Sequence, residues 1–402
     1  VKTDRVAGTR TGRLRNPVVW YMSLAAALGT ATVYPLQPAI GAVAGSLGSS
    51  PAAVGVALAC GPVGYLCGLV LLVPLVDRYP PRLVVAAQFG CLAVALALNA
   101  IVGQVWILGL VLGVVGAGSA VGAGLSSVAG RLAAAPRRAT VLGIVTAGIS
   151  AGILAGRIVG GRLTDTIGWR GTLLVFAGAC VVIAATAPLI LPAAPGAGQR
   201  GYLAVLRSIP GLFARYATLR LAATRGALWF FAFCAVWAGM AVALSAPPFE
   251  YSAERIGLYA LAGLLGIVAT RVAGTWTDRL GARRVVLVGL TLAAAAAITL
   301  GFGLASTATA LICLALFDAG LFAAQVANQS TVLAIEPTAP ARFNSAYMVV
   351  YFVGGSLGTA FGAWAVEQMG WPAMVAVATG AIVVAAAITI GTPTVGAMHD
   401  QE

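Results

Sequence analysis

The sequence predicts an all-α protein built into a lipid bilayer, and three observations carry that reading. Of its 402 residues, 60% are hydrophobic and only 9% are charged, too few for a soluble chain of this length to cover itself. Apolar runs of about 20 residues, enough for a helix to cross a hydrocarbon core of roughly 30 Å, recur throughout. No run alternates polar and apolar residues as a membrane barrel requires. Backbone groups in lipid must be satisfied within their own segment, so the spans are helices.

With Pro, Gly and charge as punctuation, twelve spans are expected near 18–44, 51–75, 82–102, 105–133, 138–164, 170–191, 219–246, 252–276, 283–304, 308–335, 341–366 and 371–391. The first run is too long for a signal peptide and reads as a retained helix. Pro35 and Pro38 break it near its outer third. Cys60, Cys67, Cys91, Cys180, Cys234 and Cys313 all fall inside apolar runs and read as small hydrophobes. The net charge of +13 is spread over short loops with no basic face, which argues against nucleic acid. Placing the amino terminus in the cytoplasm puts 18 of the 24 basic residues on that side. The positive-inside rule therefore predicts both termini cytoplasmic.

The chain repeats itself. "LVPLVDRYPPRLVV" (72–85) aligns with "AGTWTDRLGARRVV" (273–286), Asp77 on Asp278, Arg78 on Arg279 and Arg82 on Arg283. "GILAGRIVGGRLTDTIGWR" (152–170) matches "GSLGTAFGAWAVEQMGWP" (355–372). The expected organisation is a tail (1–17), a six-helix bundle (18–192), a linker (193–218), a second six-helix bundle (219–391) and a tail (392–402). Apolar residues interleaved with Arg predict that part of the linker lies on the cytoplasmic membrane surface. The paired halves, the two DR turns and the glycines of the fifth span together resemble the major facilitator superfamily of secondary transporters, over nearly the whole chain. "DAGLFAAQVANQS" and "FNSAYMVVYFVGGSLGTAFG" are most similar to bacterial efflux members of the drug/proton antiporter type. That resemblance implies two six-helix bundles around a central cavity, in the cytoplasmic membrane of a bacterium, working as a monomer and without a cofactor.

A gate must close and release, so its contacts should be polar and breakable. An Asp on a short turn can accept hydrogen bonds from the free amides at the start of a facing helix. The cytoplasmic gate is therefore expected at Asp77, Arg78, Arg82, Asp278, Arg279, Arg283 and Arg284, with Asp77 meeting the start of the eleventh span and Asp278 the start of the fifth. The same charges also serve as orientation anchors. Pro80 replaces the glycine of the second copy, Gly281, and stiffens the first turn.

In the fifth span Gly143, Gly152, Gly156, Gly160 and Gly161 remove side chains at helical spacing, which lets another helix approach closely. The antiporter signature has Pro after its third glycine. Here that place holds Arg157. Asp318 lies about 15 Å into the tenth span, near the midplane. An ionisable group there costs at least about 2.5 kcal/mol on insertion scales and should face a cavity or a partner. Asp318 and Arg157 are the candidates for proton coupling; a permanent structural ion pair is the competing reading.

Gln325 and Gln329 share a helical face with Asp318, and Asn328 lies beside them. The resemblance implies a cavity lined by the first, fourth, seventh and tenth spans. Candidates there are Tyr34 and Gln37, then Arg225, Trp229, Phe233 and Trp237 at spacings of four, with Asn344, Tyr347 and Tyr351 from the eleventh span. Opposite a polar tenth span, an aromatic stripe suits an amphipathic small-molecule substrate, although such stripes are more often packing. The spans hold no metal or catalytic constellation, and the one histidine, His399, is in the tail. The expectation is a transporter exporting small amphipathic compounds against protons. Uptake or exchange of a polar metabolite is the alternative, and a transport-inactive sensor on the same fold a weaker one.

Overall fold

The computed structural model describes residues 16–193, 210–336 and 340–391, and every regular element among them is helical. The first half contains α1 (Asn16–Ala31), α2 (Ile40–Leu47), α3 (Pro51–Leu71), α4 (Leu75–Arg78), α5 (Pro81–Ala100), α6 (Val105–Ser119), α7 (Val121–Leu132) and α8 (Arg138–Ile190). The second contains α9 (Ala217–Ser245), α10 (Ala253–Leu258), α11 (Gly263–Leu280), α12 (Ala282–Gly303), α13 (Thr307–Leu333) and α14 (Pro340–Gly391).

Nine helical stretches among the described residues are long and apolar enough to cross a bilayer, and those within α8 and α14 have about 50 residues each. Both of these turn back on themselves at a glycine. Gly168 has φ 77° and ψ 161°, and Gly370 has φ 80° and ψ 168°. A Cβ is strained in that region, so glycine sets the corner and each helix supplies two crossings. The first crossing is the pair α1 and α2, separated where Pro35 and Pro38 withhold amide donors. The result is the twelve-helix, two-bundle architecture. Large apolar side chains such as Trp20, Val94, Trp106, Leu110 and Phe302 are exposed on its outside, a surface that lipid solvates and water does not.

Starts and stops follow local chemistry. Ser50 accepts the amide of Ala53 and Pro51 follows it, opening α3; Ser306 caps α13 through Thr309. The two DR turns differ as their sequences require. Gly281 ends α11 at φ 84°, whereas Pro80 at φ −54° holds the first copy extended.

Glycines let several helix pairs approach closely, among them α3 with α6 through Gly64, Gly68 and Gly116, and two further rows frame the interior. A Cβ at Gly148, Gly152, Gly156 or Gly160 would lie 2.2–2.6 Å from the backbone of α1 or of Pro35, so α8 packs on the first crossing backbone to backbone. Gly354, Gly358 and Gly362 of α14 do the same against Ala227, Phe231 and Ala235 of α9. Of the glycines singled out in sequence, Gly152, Gly156 and Gly160 lie in the first row. Gly143 faces open space, Gly148 takes a place in the row, and Gly161 meets Ala253 of the other half.

Of the linker, 194–209 lie outside the described residues, as do 1–15 and 392–402. Residues 210–215 form one helical turn and a half. There Leu212 is buried in protein, against a cluster that includes Leu219, Phe343 and Tyr347. The end of the linker thus docks on the second bundle and leaves Ala214 and Arg215 exposed.

Candidate functional site

Where the two bundles face each other they enclose about 820 Å³, part of it open to solvent. Its walls come from both halves. Tyr34 and Gln37 stand on the broken end of the first crossing, Pro62 and Tyr65 on α3, Ser119 on α6 and Arg157 on α8. Phe230, Phe233, Cys234 and Trp237 of α9 and Phe352 and Thr359 of α14 face them. The aromatic rings form one connected surface: Tyr65 lies 4.8 Å from Phe352, Phe352 5.6 Å from Phe230, and Phe230 5.9 Å from Phe233 between centroids. Arg157 is the one charged side chain in the lining of this cavity among the described residues.

Arg157 is 5% exposed. Its Nε donates to Gln37 Oε1 at 2.7 Å, and its guanidinium carbon lies 4.2 Å from the Trp237 ring centroid and 5.0 Å from that of Tyr34. The indole Nε1 of Trp237 in turn donates to Asp318 Oδ1 at 3.2 Å. Asp318 is 1% exposed and lies off the N–H edge of the indole, outside the cavity lining. One tryptophan therefore joins a cation of the first half to a carboxylate of the second, offering its π face to one and its N–H to the other. Among the described residues no carboxylate comes within ion-pair distance of Arg157, so the structure does not contain the direct Arg157–Asp318 pair.

The other polar candidates gather in a second network inside the C-terminal bundle. Arg225 Nε donates to Asn328 Oδ1, Asn328 Nδ2 donates to Ala222 O at 2.9 Å, and the Tyr347 hydroxyl donates to Gln325. Gln329 donates to Asn344 at 2.8 Å. Trp229 is buried in the core, while Tyr351 stacks on Phe230 at 4.0 Å. The α9 stripe fails as a single face for a geometric reason. Steps of four residues advance about 40° beyond a full turn, so Arg225 and Trp237 end roughly 120° apart. The cavity face is instead Phe230, Phe233, Cys234 and Trp237. Tyr65, Phe230 and Phe352 were not picked out in sequence; nothing distinguishes them there from packing aromatics.

The two ends of the molecule differ. Away from the DR turns the halves are joined. Both carboxylate oxygens of Asp165 accept backbone amides at the start of α10, from Ala253 at 3.1 Å and Glu254 at 2.8 Å. Glu367 accepts the amide of Ala52 at the start of α3, at 2.8 Å. Arg162 pairs with Glu254 at 2.6 Å, and Gly55 and Ala363 touch. At the DR-turn end, Gly143 of α8 and Gly274 of α11 each face open space. Asp278, Arg78, Arg279 and Arg284 are exposed; Asp278 makes no hydrogen bond or ion pair among the described residues. Arg283 donates to Ile390 O at 2.6 Å, and Arg82, its counterpart in the first copy of the turn, is half-buried. Asp77 lies in α4, with its side chain outside the described residues.

Asp165 and Glu367 were also missed in sequence, although the signal was present. They are paired by the same 202-residue offset that pairs Gly156 with Gly358 and Trp169 with Trp371.

The geometry agrees with what the chain resembles elsewhere. Residues 19–333 match the Major Facilitator Superfamily. An uncharacterized transporter of Escherichia coli O157:H7, YgaY, is 31% identical over 353 residues, covering 87% of this chain and 89% of its own. A probable transporter of Streptomyces coelicolor is 34% identical over 364 residues, covering 89% and 83%. Among solved structures, a variant of the nucleoside transporter NupG superposes with a TM-score of 0.78 at 14% identity, covering 93% of this chain and 99% of that one. A bacterial homolog of the human lysosomal transporter Spinster, inward-facing and unoccupied, superposes at 0.73 and 15% identity, covering 93% and 94%. At such identities these two structures speak for the fold alone. The chain belongs to the major facilitator superfamily of membrane transporters.

Proposed function

We propose that this transporter moves small amphipathic compounds by alternating access, coupled to protons and in the export direction, in the cytoplasmic membrane of a bacterium. The observation that carries the reading is the Arg157–Trp237–Asp318 chain, in which a cation of one half lines the central cavity and a buried carboxylate of the other half is joined to it through one lining tryptophan. Rocking the halves changes the distance between the two charges. The affinity of the carboxylate for a proton then depends on conformation, which is the requirement for coupling. Aromatic walls with a few polar groups suit an amphipathic substrate. Export, and a monomeric working unit, rest on the resemblance of the DR turns and glycine rows to efflux members. The DR turns face the cytoplasm by the positive-inside rule.

In this cycle the carboxylate latches at Asp165 and Glu367 hold the outer end closed, and Asp77 and Asp278 take up the equivalent contacts at the cytoplasmic end when the outer end opens. Asp318→Asn tests the coupling. The amide preserves the hydrogen bond from Trp237 but cannot ionise. In proteoliposomes the variant is expected to lose accumulation driven by a pH difference while retaining downhill exchange. Wild-type accumulation by Asp318→Asn would remove Asp318 from the coupling step.

A further inference from the structure

The lining of the central cavity carries one charge among the described residues, and no carboxylate lies within ion-pair distance of it. Arg157 is 95% buried in the sense that only 5% of it is exposed, and its Nε alone has a protein acceptor, Gln37. The two terminal nitrogens of its guanidinium have no acceptor among the described residues, and the side chain lines the cavity. Asp318 does not fill that role: it lies beyond ion-pair distance of the guanidinium and accepts the Nε1–H at the edge of the Trp237 ring, whose face carries Arg157. Stacking on Trp237 and Tyr34 stabilises the cation in part and fixes the plane of the fork. What remains is a pair of oriented donors in a low-dielectric site, with a guanidinium that stays charged throughout the accessible pH range.

We propose that the substrate is a small organic anion with an aromatic or similarly flat apolar body, its anionic group docked in two-point fashion on the terminal nitrogens of Arg157. The body would lie against Tyr65, Phe230, Phe233 and Phe352, which form the apolar wall of the same cavity. A cationic amphipath meets no carboxylate in the cavity lining and the positive charge of Arg157 in it, so it is disfavoured. This assignment rests on the reading of the cavity as the transport site, but it concerns binding and needs no proton gradient.

Calorimetric titration of the purified full-length chain in detergent tests it with three probes that share one ring system: naphthoate, naphthamide and naphthylmethylammonium. Naphthoate is expected to bind at least about 30-fold more tightly than the amide, the size of a charge-assisted bidentate contact, and the ammonium compound not measurably. Arg157→Gln should bring acid and amide within about threefold of each other, and Arg157→Lys should keep part of the preference because the charge survives without the fork. The comparison of probes on the wild-type chain stands even where a variant does not fold. Equal or tighter binding of the amide or the ammonium compound, no binding of naphthoate, or an acid preference that survives Arg157→Gln overturns the proposal. Anion preference with intact pH-driven accumulation in Asp318→Asn would leave the anion site standing and remove the coupling role; the converse pair of results would do the opposite.

Discussion

The two ends of the bundle use the same chemistry and are in different states. Away from the DR turns, Asp165 and Glu367 accept amides at the starts of α10 and α3, each from the opposite half. At the DR-turn end Asp278 is exposed and makes no such bond among the described residues. The sequence predicts carboxylate-to-helix latches where the charges are densest. The structure engages them where charge is sparse. The difference shows that an engaged latch needs a carboxylate aligned with free amides, and that surrounding arginines are not part of that requirement. Two latches at one end, related by the internal repeat, make the closed end a property of both halves.

The sharpest way to break the comparison is to remove both engaged latches. Loss of a capping carboxylate costs about 1 kcal/mol, so Asp165→Ala with Glu367→Ala should shift the balance of conformers by about 2 kcal/mol, roughly 30-fold. Cys234 lines the cavity and reports the shift. With the other five cysteines replaced, its labelling by a membrane-impermeant thiol reagent added outside should rise by that order. An unchanged rate would show that the close apolar contact at this end, Gly55 with Ala363, holds it without the carboxylates.

The opposite end should answer with the opposite sign. Asp278 contributes no contact in the state described, so Asp278→Ala can only disfavour the other state. Labelling of Cys234 from the outside should fall by about fivefold, the equivalent of one cap, and rise from the cytoplasmic side. Labelling that rises from the outside in Asp278→Ala would mean that the DR turn does not close the cytoplasmic end.

How much of this was legible in sequence depends on the kind of information each feature needs. Helix number, the repeat and the broken first crossing follow from hydropathy and spacing, which are legible along the chain. Tyr34, Gln37, Phe233 and Trp237 were expected in the cavity from the spans that carry them, and all four line it, together with Arg157, which was expected as a coupling residue. The polar row Gln325, Asn328 and Gln329 was legible as a row, but its destination was not. Those side chains are consumed by Arg225, Tyr347 and Asn344, because partners on neighbouring helices were nearer than the cavity. Which partner a polar side chain meets depends on helix rotation in the bundle. A stripe at spacings of four conceals that rotation, as Arg225 and Trp229 show. Gly143 likewise fits the spacing and faces nothing, while Gly148, one turn nearer the contact with Ser23, does the packing.

The smallest effect is expected at the residue that connects the two halves. Trp237 offers its ring to Arg157 and its N–H to Asp318, and the two roles can be separated. Trp237→Phe keeps an aromatic face for the guanidinium, though a weaker one, and deletes the donor to Asp318. A buried carboxylate that loses one neutral donor loses about 1 kcal/mol of stabilisation in its ionised form, provided that water does not replace the donor. The anion site should therefore survive with a change of no more than about fivefold in naphthoate affinity, since cation–π terms at such sites amount to about 1 kcal/mol. The steepness of accumulation against an imposed pH difference should fall, because the proton on Asp318 would then respond less to the position of Arg157. Trp237→Leu should reproduce that loss of coupling and weaken naphthoate further, as the guanidinium loses its stacking partner. If Trp237→Phe behaves as wild type in both measurements, the indole is a spacer, and the two halves communicate through the field between Arg157 and Asp318 alone.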